Sequence, residues 1–162
     1  MDSTKTKYII LIIVLIIIIL FTIYTLFIKK PKPITSIKIL HFSYNKGNMI
    51  NSNVSYALDC KDGICKATIK PYDIPDEEQK VIEVDKKVVE KIEKILKQYN
   101  VERWNNFNKN NKYVLDGNGF SMYIKTDEDK TIEASGYMMW PKNYNEVRDS
   151  LDNIFMKIYN RK

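Results

Sequence analysis

Uncharged and mostly hydrophobic residues run without interruption from Tyr8 to Ile28, over 21 positions. As an α-helix this run would be about 31 Å long, close to the roughly 30 Å hydrocarbon thickness of a bilayer. It is apolar on every face, and no small-residue cleavage site follows it. These features disfavour an interfacial helix and a cleaved signal. The pattern predicts a transmembrane helix over 8–28, after a tail over 1–7 and before a basic Pro/Lys linker over 29–33.

From residue 34 onward the pattern changes to short β-rich runs separated by turn residues. It predicts a turn over 45–48 and strands over 34–44, 54–58, 64–69, 80–84, 120–125 and 131–134. Two of these runs, 120–125 and 131–134, are expected to pair around the acidic turn between them.

Two segments have the apolar spacing of amphipathic helices. In the first, Val88, Ile92 and Leu96 recur at four-residue intervals after an N-cap at Asp85. The second covers 144–159 and has the same spacing. It follows Asn143, which with Glu146 predicts a capping box. Strands and helices in this order predict an α+β domain over 34–162, an antiparallel β-sheet with two amphipathic helices packed on one face.

The only two cysteines flank the dipeptide Asp62-Gly63, a strong signal for a two-residue hairpin turn. Such a turn places Cys60 opposite Cys65, with Cα atoms about 4.5 Å apart if the pair is not hydrogen-bonded. A disulfide accepts that distance, and two free thiols are the alternative. Two thiolates without a nearby histidine would leave a zinc ion half-ligated, so no metal or other cofactor is predicted.

The lysines around the apolar run bear on its orientation. Lys5 and Lys7 precede it, whereas Lys29, Lys30 and Lys32 follow it, and this excess slightly favours a cytoplasmic C-terminal domain. Long domains cross the membrane largely regardless of flanking charge. A disulfide would indicate an oxidising compartment. We therefore predict a single-pass protein of the cell membrane whose C-terminal domain is extracytoplasmic.

Charge and titratable residues exclude several functions. The net charge is +6, but five lysines and one aspartate precede residue 34, which leaves 21 basic and 19 acidic residues in the domain. This mixed charge, with only three arginines in the chain, argues against binding to nucleic acid. The single histidine, His41, cannot form a His-Glu-x-x-His zinc site, and we expect it to be a half-buried structural residue. No catalytic residue is predicted.

Large apolar side chains are concentrated in the loop sequence SGYMMWPKNY. In a loop such residues either cap the core or form a contact surface, and Trp, Tyr and Met are common at interfaces. The candidate contact surface consists of Trp104, Tyr137, Met138, Met139, Trp140 and Tyr144.

Three stretches, WNNF (104–107), LDGNGFSMYI (115–124) and IEASGYMMWPKNYNEV (132–147), resemble a group of uncharacterised bacterial exported or membrane-anchored proteins. The resemblance implies a bacterial cell-envelope protein. It implies no particular activity. Most of those proteins look like lipoproteins, whereas this chain has no cysteine at the end of its apolar run.

The hypothesis from the sequence is a non-enzymatic binding or interaction module on the outer face of the membrane. Its partners would be the lipid bilayer and another envelope protein or peptidoglycan. The alternatives are an enzyme that acts on envelope material and a small structural subunit of a membrane complex. A perturbed carboxylate in a pocket beside Trp104 or Trp140 would favour the enzyme, and closed apolar packing of these rings would disfavour it.

Overall fold

The computed structural model describes residues 3–27, 31, 33–45 and 52–161. The chain separates into two compact units, Met1–Lys32 and Pro33–Lys162. Residue 28 of the predicted span, most of the predicted linker and residues 46–48 of the predicted turn lie outside the described residues.

The first unit contains one helix, α1 (Ser3–Phe27). Its segment Lys7–Tyr24 has a mean hydropathy of 2.9, and the side chains there are exposed. Within the described part of the chain, this is the one helix long and apolar enough to span a membrane. A signal sequence near an N-terminus would have the same properties.

The second unit is a seven-stranded sheet with two helices. The strands are β1 (Ile37–Asn45), β2 (Asn53–Lys61), β3 (Ile64–Lys70), β4 (Lys80–Val84), β5 (Phe107–Asn110), β6 (Gly119–Thr126) and β7 (Thr131–Tyr137). The helices are α2 (Lys86–Gln98) and α3 (Tyr144–Tyr159), and short 3₁₀ turns lie at Asp76–Glu78 and Val101–Trp104. The strand order is β4-β3-β2-β1-β6-β7-β5.

The α+β class and the two amphipathic helices are confirmed, but the prediction of a wholly antiparallel sheet is wrong. The edge strand β5 pairs with β7 in parallel, with Phe107 opposite Ala134. The remaining pairs are antiparallel, including the predicted pairing of β6 with β7.

One face of the sheet is buried and the other is open. Leu40 lies opposite Leu58 on β2 and Ile124 on β6, and all three are fully buried. Phe155 of α3 stacks on Tyr56 with ring centroids 4.6 Å apart, so α3 covers this face. Side chains alternate across a strand, and the intervening positions therefore form the open face.

Helix α2 packs beside α3 and reaches the start of β1. The backbone N–H of Ile37 donates to Oε1 of Glu93 at 2.8 Å. At the other end of the helix, Asn100 has a φ of 54°, a left-handed conformation that is common where a helix ends. The prediction of an N-cap at Asp85 is correct in position, although its side chain makes no capping hydrogen bond.

Two local predictions are wrong because tertiary contacts override them. The first strand begins at Ile37 instead of Ile34, after Ser36 turns the backbone with a φ of 51°. The capping box before α3 does not form. Asn143 has a φ of 64°, and its Nδ2 donates to the carbonyl oxygen of Tyr99 at 3.3 Å.

The hairpin between β2 and β3 has the predicted register. Asp62 and Gly63 have φ values of 52° and 83°, as a type I′ turn requires. Cys60 therefore faces Cys65, with Cα atoms 4.1 Å apart, and a disulfide joins the two.

The strand register defines an end of the domain that we call the distal end. The chain enters the domain at Pro33, and β1 then runs from Ile37 to Asn45, roughly 30 Å for nine residues. Gly119 lies opposite Tyr137, and Tyr137 lies opposite Asn110. These three residues and Asn45 share the distal end, so the connections from β5 to β6 and from β7 to α3 lie there.

Candidate functional site

The six residues of the candidate contact surface do not all lie at the surface. Trp104 and Tyr144 are only 2% and 5% exposed and belong to the core, so their assignment to a surface is corrected. Tyr137 is half-buried. Met138, Met139 and Trp140 are 37–39% exposed, which is unusual for side chains of this size.

An aromatic cluster supports the exposed Trp140 from beneath. Its indole stacks on the ring of Tyr144, with centroids 5.1 Å apart and planes 14° apart. Phe120 contacts Trp140, Tyr144 and Trp104, with centroids 6.0, 4.7 and 6.2 Å away. The indole is thus held by packing, while part of it remains open to solvent.

Two hydrogen bonds fix the loop after Trp140 to the C-terminal end of α2 and to the 3₁₀ turn that follows it. The indole Nε1 of Trp104 donates to the carbonyl oxygen of Lys142 at 3.1 Å. The side chain of Asn143 bonds to the carbonyl oxygen of Tyr99, as described above. Because both donors come from well-packed residues, the loop has a defined position beside β5.

A cleft of ≈ 340 Å³ opens between this loop, the 3₁₀ turn and β5. We call it the cationic cleft, because three of its lining residues are cations and none is acidic. The lining residues are Tyr99, Asn100, Arg103, Trp104, Phe107, Lys109, Trp140, Pro141, Lys142 and Asn143.

Within the described residues, none of the three cations has an ion-pair partner. Arg103, Lys109 and Lys142 are all exposed, and Nζ of Lys109 lies 5.4 Å from the centre of the Phe107 ring. Unneutralised charges along one concavity raise the local positive potential and attract anions. The cleft is therefore suited to an anionic group with an apolar or planar part that can contact Trp140.

The side chains most often used in acid–base chemistry do not line the cleft. Neither a carboxylate nor a histidine lines it. Glu102, on the same 3₁₀ turn as Trp104, is 7% exposed and lies outside the lining; its Oε2 has no hydrogen-bond partner among the described residues. His41 lies on the open face of the sheet, edge-on to Tyr123, and is exposed instead of half-buried as predicted. The described residues also contain no cluster of potential metal ligands.

A polar network lies under α3, inside the domain. The hydroxyl of Tyr44 donates to Oδ2 of Asp152 at 2.7 Å, and Tyr56 also bonds to Asp152. Burial, reinforced by Asp152, raises the pKa of Tyr44 and of Tyr56 far above the ordinary value. Burial likewise raises the pKa of Tyr144, and Arg148 opposes that shift. These phenols stay protonated, and their side chains are part of the core.

No protein-family model matches the chain, and no curated protein and no solved structure is significantly similar to it. Function is therefore inferred from the geometry of the site. Sequence analysis identified the aromatic loop but missed the cations of the cleft, since Arg103, Lys109 and Lys142 come from three separate segments. The one signal available was Arg103, next to Trp104 in a chain with few arginines.

Proposed function

We propose that this protein is a bacterial cell-envelope module, anchored in the membrane by α1, whose extracytoplasmic domain binds an anionic group of another envelope component in the cationic cleft. The observation that carries the proposal is a set of three cations beside the partly exposed Trp140, none of which has an ion-pair partner among the described residues. The competing hypothesis of an enzyme would be favoured by a perturbed carboxylate beside Trp104 or Trp140, and the residues that line the cleft include no carboxylate.

The proposed location has two supports. Helix α1 has exposed apolar side chains on all sides between Tyr8 and Tyr24, a surface that lipid covers favourably and water does not. The disulfide between Cys60 and Cys65 is a bond that persists in oxidising compartments and is rare in the cytosol.

Thiol labelling of intact bacterial cells that express the full chain tests this location. A membrane-impermeant maleimide should label the protein only after reduction, because the disulfide occupies both thiols. The variant Cys60→Ser is the matched control: it leaves Cys65 free and should be labelled without reduction. Labelling of Cys60→Ser only after cell lysis would place the domain in the cytoplasm and overturn the proposal.

Anion binding by the cleft is measured with inorganic pyrophosphate as the probe and the fluorescence of the tryptophans as the readout. We expect each of Arg103→Gln, Lys109→Gln and Lys142→Gln to weaken binding by about fivefold, since each removes one charge at a partly solvated site. Added salt should weaken binding of the wild-type chain.

The exposed Lys87 on α2 provides the matched control, since Lys87→Gln makes the same change in net charge away from the cleft. Equal loss of affinity in Lys87→Gln and in the cleft variants would show that net charge, and not the cleft, attracts the probe.

A further inference from the structure

The loop 111–118, between β5 and β6, exposes two large apolar side chains almost completely. Tyr113 is 98% exposed and Leu115 is 95% exposed. Burial of such side chains against the domain would be favourable. Their complete exposure on one short loop therefore marks them as candidates for contact with something outside the chain.

The backbone of this loop is held in place at both ends. The N–H of Asn111 donates to the carbonyl oxygen of Tyr137 at 2.9 Å, and the hydroxyl of Tyr137 donates to the carbonyl oxygen of Leu115 at 2.8 Å. The N–H of Met138 donates to the carbonyl oxygen of Asn118 at 2.8 Å. Tyr113 and Leu115 thus project from an anchored loop.

The neighbouring segment adds apolar surface and an unusual backbone. Met138 has a φ of 52°, a left-handed conformation that is uncommon for a residue of this size. Its side chain lies against Gly117 and Asn118 of the loop 111–118. Met138 and the following Met139 are both more than one-third exposed. We call Lys112, Tyr113, Leu115, Met138 and Met139 the distal tip, since the strand register places them at the distal end.

Cations lie within the distal tip and close to it in sequence. Lys112 belongs to the tip, and Lys142 of the cationic cleft follows Met139 by three residues. Asp116 is the one acidic residue of the loop 111–118. Exposed apolar side chains with lysines nearby match an anionic lipid surface, where lysines meet phosphate groups while Tyr and Leu side chains enter the headgroup and acyl boundary.

We infer that the distal tip docks on an anionic lipid bilayer, with Tyr113 and Leu115 inserted and the cations of the cleft against lipid phosphates. For those cations, the inference rests on the proposed anion binding by the cleft. A lipid surface fits better than a protein partner because Tyr113 and Leu115 project separately and do not form a flat, packed patch.

The test uses the full chain held in nanodiscs of phosphatidylcholine, mixed with sucrose-loaded vesicles that are then sedimented. Vesicles that contain phosphatidylglycerol should capture the protein, and vesicles of phosphatidylcholine alone should capture much less. Tyr113→Ser and Leu115→Ser should each reduce capture about tenfold, because each removes an inserted apolar side chain.

Val81→Ser is the matched control, since Val81 is 62% exposed on β4, away from the tip. Its capture should equal that of the wild-type chain. The inference is overturned if anionic vesicles fail to capture the wild-type chain, or if Leu115→Ser is captured as well as Val81→Ser. Pyrophosphate binding by Leu115→Ser separates the two proposals: it should be unchanged, and in that case a failure of vesicle capture leaves the cleft proposal standing.

Discussion

Raising the pH above about 10 should unfold the domain steeply, with a loss of about 4 kcal/mol of stability per pH unit. Three buried tyrosines, Tyr44, Tyr56 and Tyr144, have pKa values raised above the ordinary value of 10.0, with burial as the largest cause. In the unfolded chain these phenols ionise near their ordinary pKa, whereas in the folded domain they stay protonated. Above that pH the unfolded state therefore binds fewer protons, and stability falls as the pH rises.

Below about pH 9 the same three groups are protonated in both the folded and the unfolded state, so they contribute no pH dependence to stability in that range. A domain of this size has a total stability of about 5–15 kcal/mol. Unfolding should therefore be complete within a few pH units above the ordinary pKa of tyrosine. Circular dichroism and tyrosinate absorbance, followed together during a pH titration, measure it. The two signals should change in one cooperative step.

The variant Tyr56→Phe separates this mechanism from general alkaline denaturation. It removes one of the three phenols, so the slope above pH 10 should fall by about a third. At neutral pH the variant should lose about 1 kcal/mol, because one hydrogen bond to Asp152 is gone. Gradual tyrosinate formation without loss of circular dichroism would contradict the prediction.

The parts of the fold that are local in sequence were predictable. The hairpin around Asp62-Gly63 was predicted with the correct pairing of Cys60 with Cys65, because the turn dipeptide alone sets the register. Helix α2 was predicted from its apolar spacing, and the left-handed Asn100 marks its end. In these segments the favoured local conformation and the tertiary fold agree.

The parts that failed depend on partners distant in sequence. Strand β5 has only four residues, Phe-Asn-Lys-Asn, without an alternating pattern, and it exists because it pairs in parallel with β7. Asn143 matches a capping motif locally, yet its side chain bonds to the carbonyl oxygen of Tyr99, which is 44 residues earlier in the chain. These contacts join residues far apart in sequence, so they cannot be predicted from a local sequence pattern.

The candidate site was likewise predictable only where it is local in sequence. The aromatic loop was recognised because its residues are adjacent in sequence. The sequence did not show that Trp104 and Tyr144 are buried whereas Trp140 is partly exposed. The cationic cleft forms only when β5 brings Lys109 beside the loop that carries Lys142. Its charge could therefore not be predicted before the parallel strand was known.

Gly136→Ala should destabilise the domain by about 3 kcal/mol, the upper end of the usual cost of overpacking a core. Gly136 lies on β7 opposite Phe120. A Cβ atom there would lie 2.1 Å from the carbonyl oxygen of Met139 and 2.6 Å from the Phe120 ring. The backbone oxygen cannot move away without displacing the loop that carries Trp140. The variant should therefore also bind pyrophosphate more weakly, because a change on β7 would move the loop that lines the cleft.

Urea unfolding measures the loss of stability, and tryptophan fluorescence of the folded variant reports on the loop. The matched control is Gly63→Ala, where no atom lies within 4 Å but the φ of 83° disfavours a side chain. That variant should lose only about 1–2 kcal/mol, for conformational reasons, and should keep its affinity for pyrophosphate. If the two variants unfold at the same urea concentration, the close approach of Met139 to β7 does not determine stability. If Gly136→Ala keeps full affinity, the loop reaches its position beside the cleft independently of the sheet.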